Sequence, residues 1–201
     1  MGEGFHLGRE KIRVWQAHHK NWFSACRGEN MKLLYICEAN LFRSPIAAIL
    51  TRKKTKGTNL RVDSAGLWID DSVEPTSFLF TALKRLGYSG HRPISKEISV
   101  DLLKKQDLIL CMQRSQVNEV LNLAPEIKNK VHTLPEYAGF PNEEIPDPSE
   151  LIDAKEAEPD FCITTRKEQK EAIEFWINFI QIIKKYIDLA IQRIKREGLI
   201  S

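Results

Sequence analysis

The sequence predicts an α/β fold with an open, mainly four-stranded parallel sheet flanked by helices on both faces. Two observations carry this. Four short runs, MKLLYI (31–36), LRVDSAG (60–66), DLILCM (107–112) and KVHTL (130–134), have the length and apolar content of buried strands. Between them lie segments whose apolar residues recur at helical spacing, and strands alternating with helices favour parallel pairing.

The elements follow in order. After MKLLYI, the segment SPIAAILTRKK has the form of a helix start, with Ser44 placed to cap orphan amides and Pro45 suited to the first helical position. LRVDSAG ends in small residues, and PTSFLFTALKRLG reads as a helix stopped by Gly87. SVDLLKKQ is a short helix, DLILCM a second buried strand, RSQVNEVLNLA another helix and KVHTL the last strand. Residues 140–160 form a Pro-rich acidic loop with eight Asp/Glu against one Lys. A long helix from 166 to about 196 carries Ile173, Trp176, Ile177, Ile180, Ile187, Ala190, Ile191 and Ile194 on one stripe. Residues 1–30 read as an N-terminal extension in which Trp15, Trp22 and Phe23 suggest a docking element, and 31–201 as one domain ending in the long helix.

The chain has 201 residues, of which 42% are hydrophobic, enough for one substantial core. Its formal charge is +3, and residues 1–30, with five Lys/Arg against three Asp/Glu, supply +2 of it. The near-neutral remainder argues against nucleic acid as a partner. Cys26, Cys37, Cys111 and Cys162 are scattered, with neither a C-x-x-C pair nor a zinc-type His spacing. They read as reduced thiols of a cytoplasmic protein, with no metal and no cofactor expected. No apolar segment is long enough to span a bilayer, so no membrane association is expected.

The stretch YICEANLFRSP (35–45) holds the chemistry. A strand, a tight loop and a helix start bring backbone amides together at one spot, which favours a bound phosphate. A thiol there, Cys37, is expected to be largely thiolate at neutral pH. Arg43, six residues on, offers a planar fork for two phosphate oxygens. Cys37, Ser64 and the segment after the last strand all fall at strand carboxyl ends, where open parallel sheets place their sites.

Taken together, CEANLFRSP, RVDSAG, LILCM and IPDP, in this order from about Lys32 to about Pro148, resemble the low-molecular-weight protein tyrosine phosphatase family. The resemblance implies a phosphate-binding loop after the first strand and phosphomonoester hydrolysis through a phosphocysteine intermediate. The substrate would be a tyrosine-phosphorylated protein or a small phosphomonoester. It assigns Cys37 as nucleophile, Arg43 and the amides of residues 38–43 as the oxyanion clamp, and Asp147 as the acid that protonates the leaving phenolate. Ser44 would donate to the sulfur. Asn40 would take a left-handed backbone, with Ser64 and His91 bracing it. Leu41 and Trp68 would form two walls around an aromatic leaving group, whereas a phosphoarginine-directed relative would carry a small polar residue at the position of Leu41.

Four departures from the family pattern bear on the substrate. Ala39 stands where a Gly is usual and would be strained at positive φ. Glu38 puts a carboxylate beside the phosphate site. Phe42 occupies the place of a second loop cysteine, and Ser149 that of the Tyr after Asp-Pro. Three competing readings remain open: an arsenate reductase on the same scaffold, a phosphocarrier of similar topology, and a weakened phosphatase acting as a phospho-residue binding module.

Overall fold

A computed structural model describes residues 30–70, 72–88, 94–151 and 165–201. Trp15, Trp22, Phe23, Cys26, His91 and Cys162 lie outside the described residues, as does the extension up to residue 29. Strand β1, Met31–Cys37, pairs in parallel with β2, Leu60–Gly66, on one side and with β3, Leu108–Cys111, on the other. Strand β4, Val131–Thr133, pairs in parallel with β3, giving the order β2-β1-β3-β4. The expected four-stranded parallel sheet is therefore the one formed.

Because β1 is central and covered on both faces, its sequence is a continuous apolar run. Its parity still sorts side chains. Leu33, Tyr35 and Cys37 enter one core, and Leu34 and Ile36 enter the other. The first core is covered by α1 (Arg43–Lys54), α2 (Ser77–Arg85) and the long helix α6 (Arg166–Arg196). The second takes Leu103 of α3 (Val100–Lys104), Val117 and Val120 of α4 (Arg114–Leu123), and Ile127 of a 3-10 helix at Pro125–Lys130. Cys111 belongs to this second core, on the face of the sheet opposite Cys37.

Helix α6 opens with a reciprocal cap between Thr165 and Glu168. Phe179, Ile183 and Tyr186 join the expected stripe as buried residues, while Ile177 sits half-buried at its margin. A helix covering two neighbouring helices and a sheet needs this broader apolar face. The fourth strand ends one residue sooner than KVHTL suggests. Thr133 caps a four-residue helix, α5 (Leu134–Tyr137), with Glu136 bonding back, which draws Leu134 out of the strand.

The start of α1 corrects a sequence expectation. Phe42, not Ser44, is the N-cap, and it makes no side-chain cap bond. Ser44 and Pro45 lie inside the first turn, where amides have no intrahelical acceptor and a proline is still tolerated. The Ser44 hydroxyl is thus available to other partners.

Where β2 ends, the backbone of the following segment runs against the loop after β1. A Cβ at Gly66 would lie 2.8 Å from the Glu38 carbonyl oxygen and 2.9 Å from both Ala39 C and Asn40 N. All three are backbone atoms, so no side chain can swing aside. Gly66→Ala is expected to cost about 1–3 kcal/mol by overpacking, read as a Tm several degrees lower. An unchanged Tm would show that the two backbones separate freely.

Candidate active site

The loop after β1 is fixed through its carbonyl groups. Leu67 N–H donates to the carbonyls of Cys37 (3.1 Å) and Glu38 (2.7 Å), and Trp68 N–H also reaches Glu38 (3.3 Å). The Asn40 carbonyl accepts from Ser95 Oγ at 3.2 Å, and that of Phe42 from Ile46 N–H at 3.0 Å. In a trans peptide the N–H points opposite to the preceding C=O. Binding the carbonyls of residues 37, 38, 40 and 42 outward therefore turns the amides of residues 38, 39, 41 and 43 inward, the arrangement that receives an anion.

Asn40 makes the turn possible. It is the one non-glycine residue with positive φ, at 53°, among the described residues, and asparagine tolerates this conformation best after glycine. Ala39 is outside that region and carries none of the expected strain. The Asn40 side chain is buried, donating to Ser44 Oγ at 2.9 Å and accepting from Lys96 N–H at 3.1 Å. Ser64 is buried as well, but among the described residues it makes no hydrogen bond to Asn40; Ser44, Ser95 and Lys96 hold that residue instead.

Ser44 Oγ lies 3.0 Å from Cys37 Sγ and 3.3 Å from the Ala65 carbonyl. Since Asn40 donates into the hydroxyl oxygen, the single Ser44 proton has two acceptors, the carbonyl and the sulfur. The contact with the sulfur therefore competes with the carbonyl for that one proton. For Cys111, burial raises the thiol pKa well above the ordinary range and keeps it protonated.

Arg43 is 2% exposed. Its Nη1 donates to Gln113 Oε1 at 2.7 Å and to the Ile145 carbonyl at 3.2 Å, and its Nη2 pairs with Asp147 Oδ2 at 2.7 Å. Of the five donors of a guanidinium, these contacts use three, leaving Nε and one Nη2 hydrogen for other oxygens. Gln113 stands at the end of β3, so this grip crosses the switch in strand order between β1 and β3.

The segment carrying Asp147 is docked residue by residue. Glu143 accepts from Tyr186 Oη and, at 3.3 Å, from Lys185 Nζ, both of α6; the tyrosine bond lowers the Glu143 pKa. Burial, with Glu143 adding to it, pushes the Tyr186 phenol up to about 12. Glu144 accepts from Arg114 N–H at 2.7 Å, Ile145 N–H donates to the Met112 carbonyl at 3.0 Å, and the Ile145 side chain is fully buried. Pro148, also buried, opens a 3-10 turn at Pro148–Leu151. The Asp147 side chain remains 31% exposed, with Oδ1 accepting from Ser149 N–H and Oγ.

At the rim, Trp68 is 47% exposed and its Nε1 donates to Glu38 Oε1 at 3.1 Å. Leu41 is half-buried. The Phe42 ring packs 5.1 Å from that of Trp176 in the first core and so faces away from the loop's anion side. What Phe42 offers the site is backbone. Sequence reasoning missed Gln113, Ser95, Lys96 and the Ile145 carbonyl. The position of Gln113 directly after LILCM, at a strand carboxyl end, is the signal that could have found it. Among the described residues, no group of three or more His, Cys, Asp or Glu is placed to hold a metal ion, and no helix is long and apolar enough to cross a membrane.

The low-molecular-weight protein-tyrosine-phosphatase Wzb of Escherichia coli K12 is 34% identical over 119 residues, covering 58% of this chain and 76% of that protein. The YwlE arginine phosphatase of Geobacillus stearothermophilus superposes with a TM-score of 0.65 at 22% identity, covering 84% of this chain and 96% of its own. A low molecular weight phosphotyrosine phosphatase of Vibrio cholerae O395 gives 0.65 at 23% identity, with 84% and 99% covered. At those identities the two structures show a shared fold. Residues 32–186 match the model of the low molecular weight phosphotyrosine protein phosphatases, and the chain belongs to that family.

Proposed function

We propose that this protein hydrolyses phosphotyrosine in proteins through a phosphocysteine intermediate. The observation that supports the reading is the pairing of Asp147, from a distant segment, with buried Arg43 of the loop that starts at Cys37, whose sulfur lies against Ser44. The Cys37 thiolate attacks phosphorus in line, forming the S–P bond as the P–O bond to the phenol breaks. Asp147, as a carboxylic acid, gives its proton to the departing oxygen. Water then attacks the phosphocysteine, Asp147 takes back a proton, and phosphate and thiolate are released. The amides of the loop, those of residues 38, 39, 41 and 43 among them, and the remaining Arg43 donors hold the equatorial oxygens while charge shifts among them. Ser44, 3.0 Å from the sulfur, stabilises the thiolate as leaving group.

Leu41 and Trp68 support the aromatic substrate over phosphoarginine. Each offers apolar surface to a phenyl ring and no acceptor for guanidinium N–H groups, while the Trp68 indole is oriented by Glu38. Two of the competing readings lose support. Among the described residues, the thiol relay of an arsenate reductase could draw only on Cys111, which is buried on the other face of the sheet. The binding-module reading rested partly on strain at Ala39, and Asn40 takes the left-handed position instead. The reduced-thiol reading of the cysteines supports a cytoplasmic setting.

Cys37→Ser is expected to abolish turnover of para-nitrophenyl phosphate with the Tm unchanged; turnover near wild type would refute the assignment. Asp147→Asn should retain inorganic phosphate binding and lose roughly 10²–10⁴ in rate on poor leaving groups, a loss measured across aryl phosphates of rising leaving-group pKa. Phosphotyrosine peptides should be turned over faster than phosphoarginine or phosphoserine peptides, and at low ionic strength Lys/Arg-flanked ones best, because Glu38 repels acidic flanks. Glu38→Gln, which keeps an acceptor for Trp68 while removing the charge, should reduce that flank preference. A preference for acidic flanks, or faster turnover of phosphoarginine, would overturn this account of the rim.

A further inference from the structure

Asp147 has two carboxyl oxygens, and its neighbours treat them differently. Oδ1 accepts two bonds from one residue, Ser149 Oγ at 2.7 Å and Ser149 N–H at 3.1 Å. Oδ2 faces Arg43 Nη2 at 2.7 Å. The backbone around them is held too. Asp147 N–H donates to Glu150 Oε1 at 3.2 Å, Glu150 N–H returns to the Asp147 carbonyl at 3.0 Å, and the ring of Pro148 is buried between.

Ser149 fills both lone-pair directions of Oδ1, whereas Arg43 fills one of the two on Oδ2, so a proton on Oδ2 keeps all three of these bonds and leaves its O–H directed away from Ser149. We propose that Ser149 is a positioning residue for the acid: its hydroxyl fixes the rotation of the Asp147 carboxyl and thereby selects Oδ2, the oxygen beside Arg43, as the one that gives and takes the proton. The proposal rests on the reading of Asp147 as the acid. In the first step the proton leaves Oδ2 for the phenolate oxygen as the P–O bond breaks; in the second, Oδ2 receives one from water. Without the hydroxyl, the backbone N–H remains on Oδ1 but the carboxyl turns more readily about χ2, and either oxygen is presented.

The amide bond to Oδ1 is open to any residue at position 149; the hydroxyl bond needs Ser or Thr. Position 149 is exposed, so its substitution tests the site rather than the fold. Ser149→Ala is expected to lower kcat/KM about three- to tenfold on aryl phosphates with poor leaving groups, and less than about twofold on those with good leaving groups, whose departure needs little protonation. Ser149→Thr should restore the rate. In an Asp147→Asn background Ser149→Ala should change nothing, because the effect passes through the carboxyl. An equal loss across all leaving groups, failure of threonine to restore it, or the same loss in the Asp147→Asn background would overturn the proposal and leave the acid assignment standing. Unchanged leaving-group dependence in Asp147→Asn itself would overturn both.

Discussion

The buried guanidinium of Arg43 is the constraint on which the site depends. Taking such a group out of water costs several kcal/mol unless acceptors replace the lost hydration. Here the acceptors lie far along the chain, Gln113 at a separation of 70 residues and the Ile145 carbonyl at 102. The loop after β1, the end of β3 and the segment before Asp147 must therefore assemble together or leave the charge unpaired. Folding and assembly of the chemistry share one set of bonds. Asp147 is the only carboxylate among them, while Gln113 and the carbonyl satisfy hydrogen bonds without competing for the positive charge.

The second constraint is the polarity of the peptide plane. An anion site needs several N–H groups facing one way, and that holds only when the carbonyls between them are bonded on the other side. The end of β2 performs this service through Leu67 and Trp68, and Ser95 completes it at Asn40. Close approach of the two backbones follows, which is why Gly66 has no room for a Cβ. The phosphate site thus depends on a strand that contributes no reacting group.

Much of the fold was legible because it follows from local patterns. The apolar run of β1 and the mixed pattern of α6 report burial on two faces and on one face, and each strand and long helix lies where its pattern placed it. Cys37 and Arg43 were legible as a spacing between a strand end and a helix start. The partners of Asn40 were not, because Ser95 and Lys96 sit in a segment without periodicity and meet it across 55 and 56 residues. Helix α5 was missed for a different reason: four residues hold little more than one turn, too few to show a period. Ser44 was misplaced as a cap because its composition signal is real, but Asn40, the sulfur and the Ala65 carbonyl compete for the same hydroxyl.

The departures from the family pattern show how a site absorbs substitution. Phe42 is accommodated by the core, its ring set against Trp176 while its backbone stays in the loop. Ala39 sits beside the left-handed residue rather than at it. Glu38 would be an unscreened negative charge close to a bound phosphate, but it is tied to Trp68 Nε1, so the same bond that restrains the charge sets the indole at the rim. Ser149 gives up aromatic surface and bonds the Asp147 carboxyl instead. These four residues lie close to the proposed reacting groups in sequence, yet the side chains of Glu38, Phe42 and Ser149 each have a partner outside the set of inward amides, and the groups that would touch phosphorus are unchanged. On the proposed roles of Cys37 and Asp147, variation of this kind alters which substrates reach the thiol, and how firmly the acid is held, before it alters the reaction.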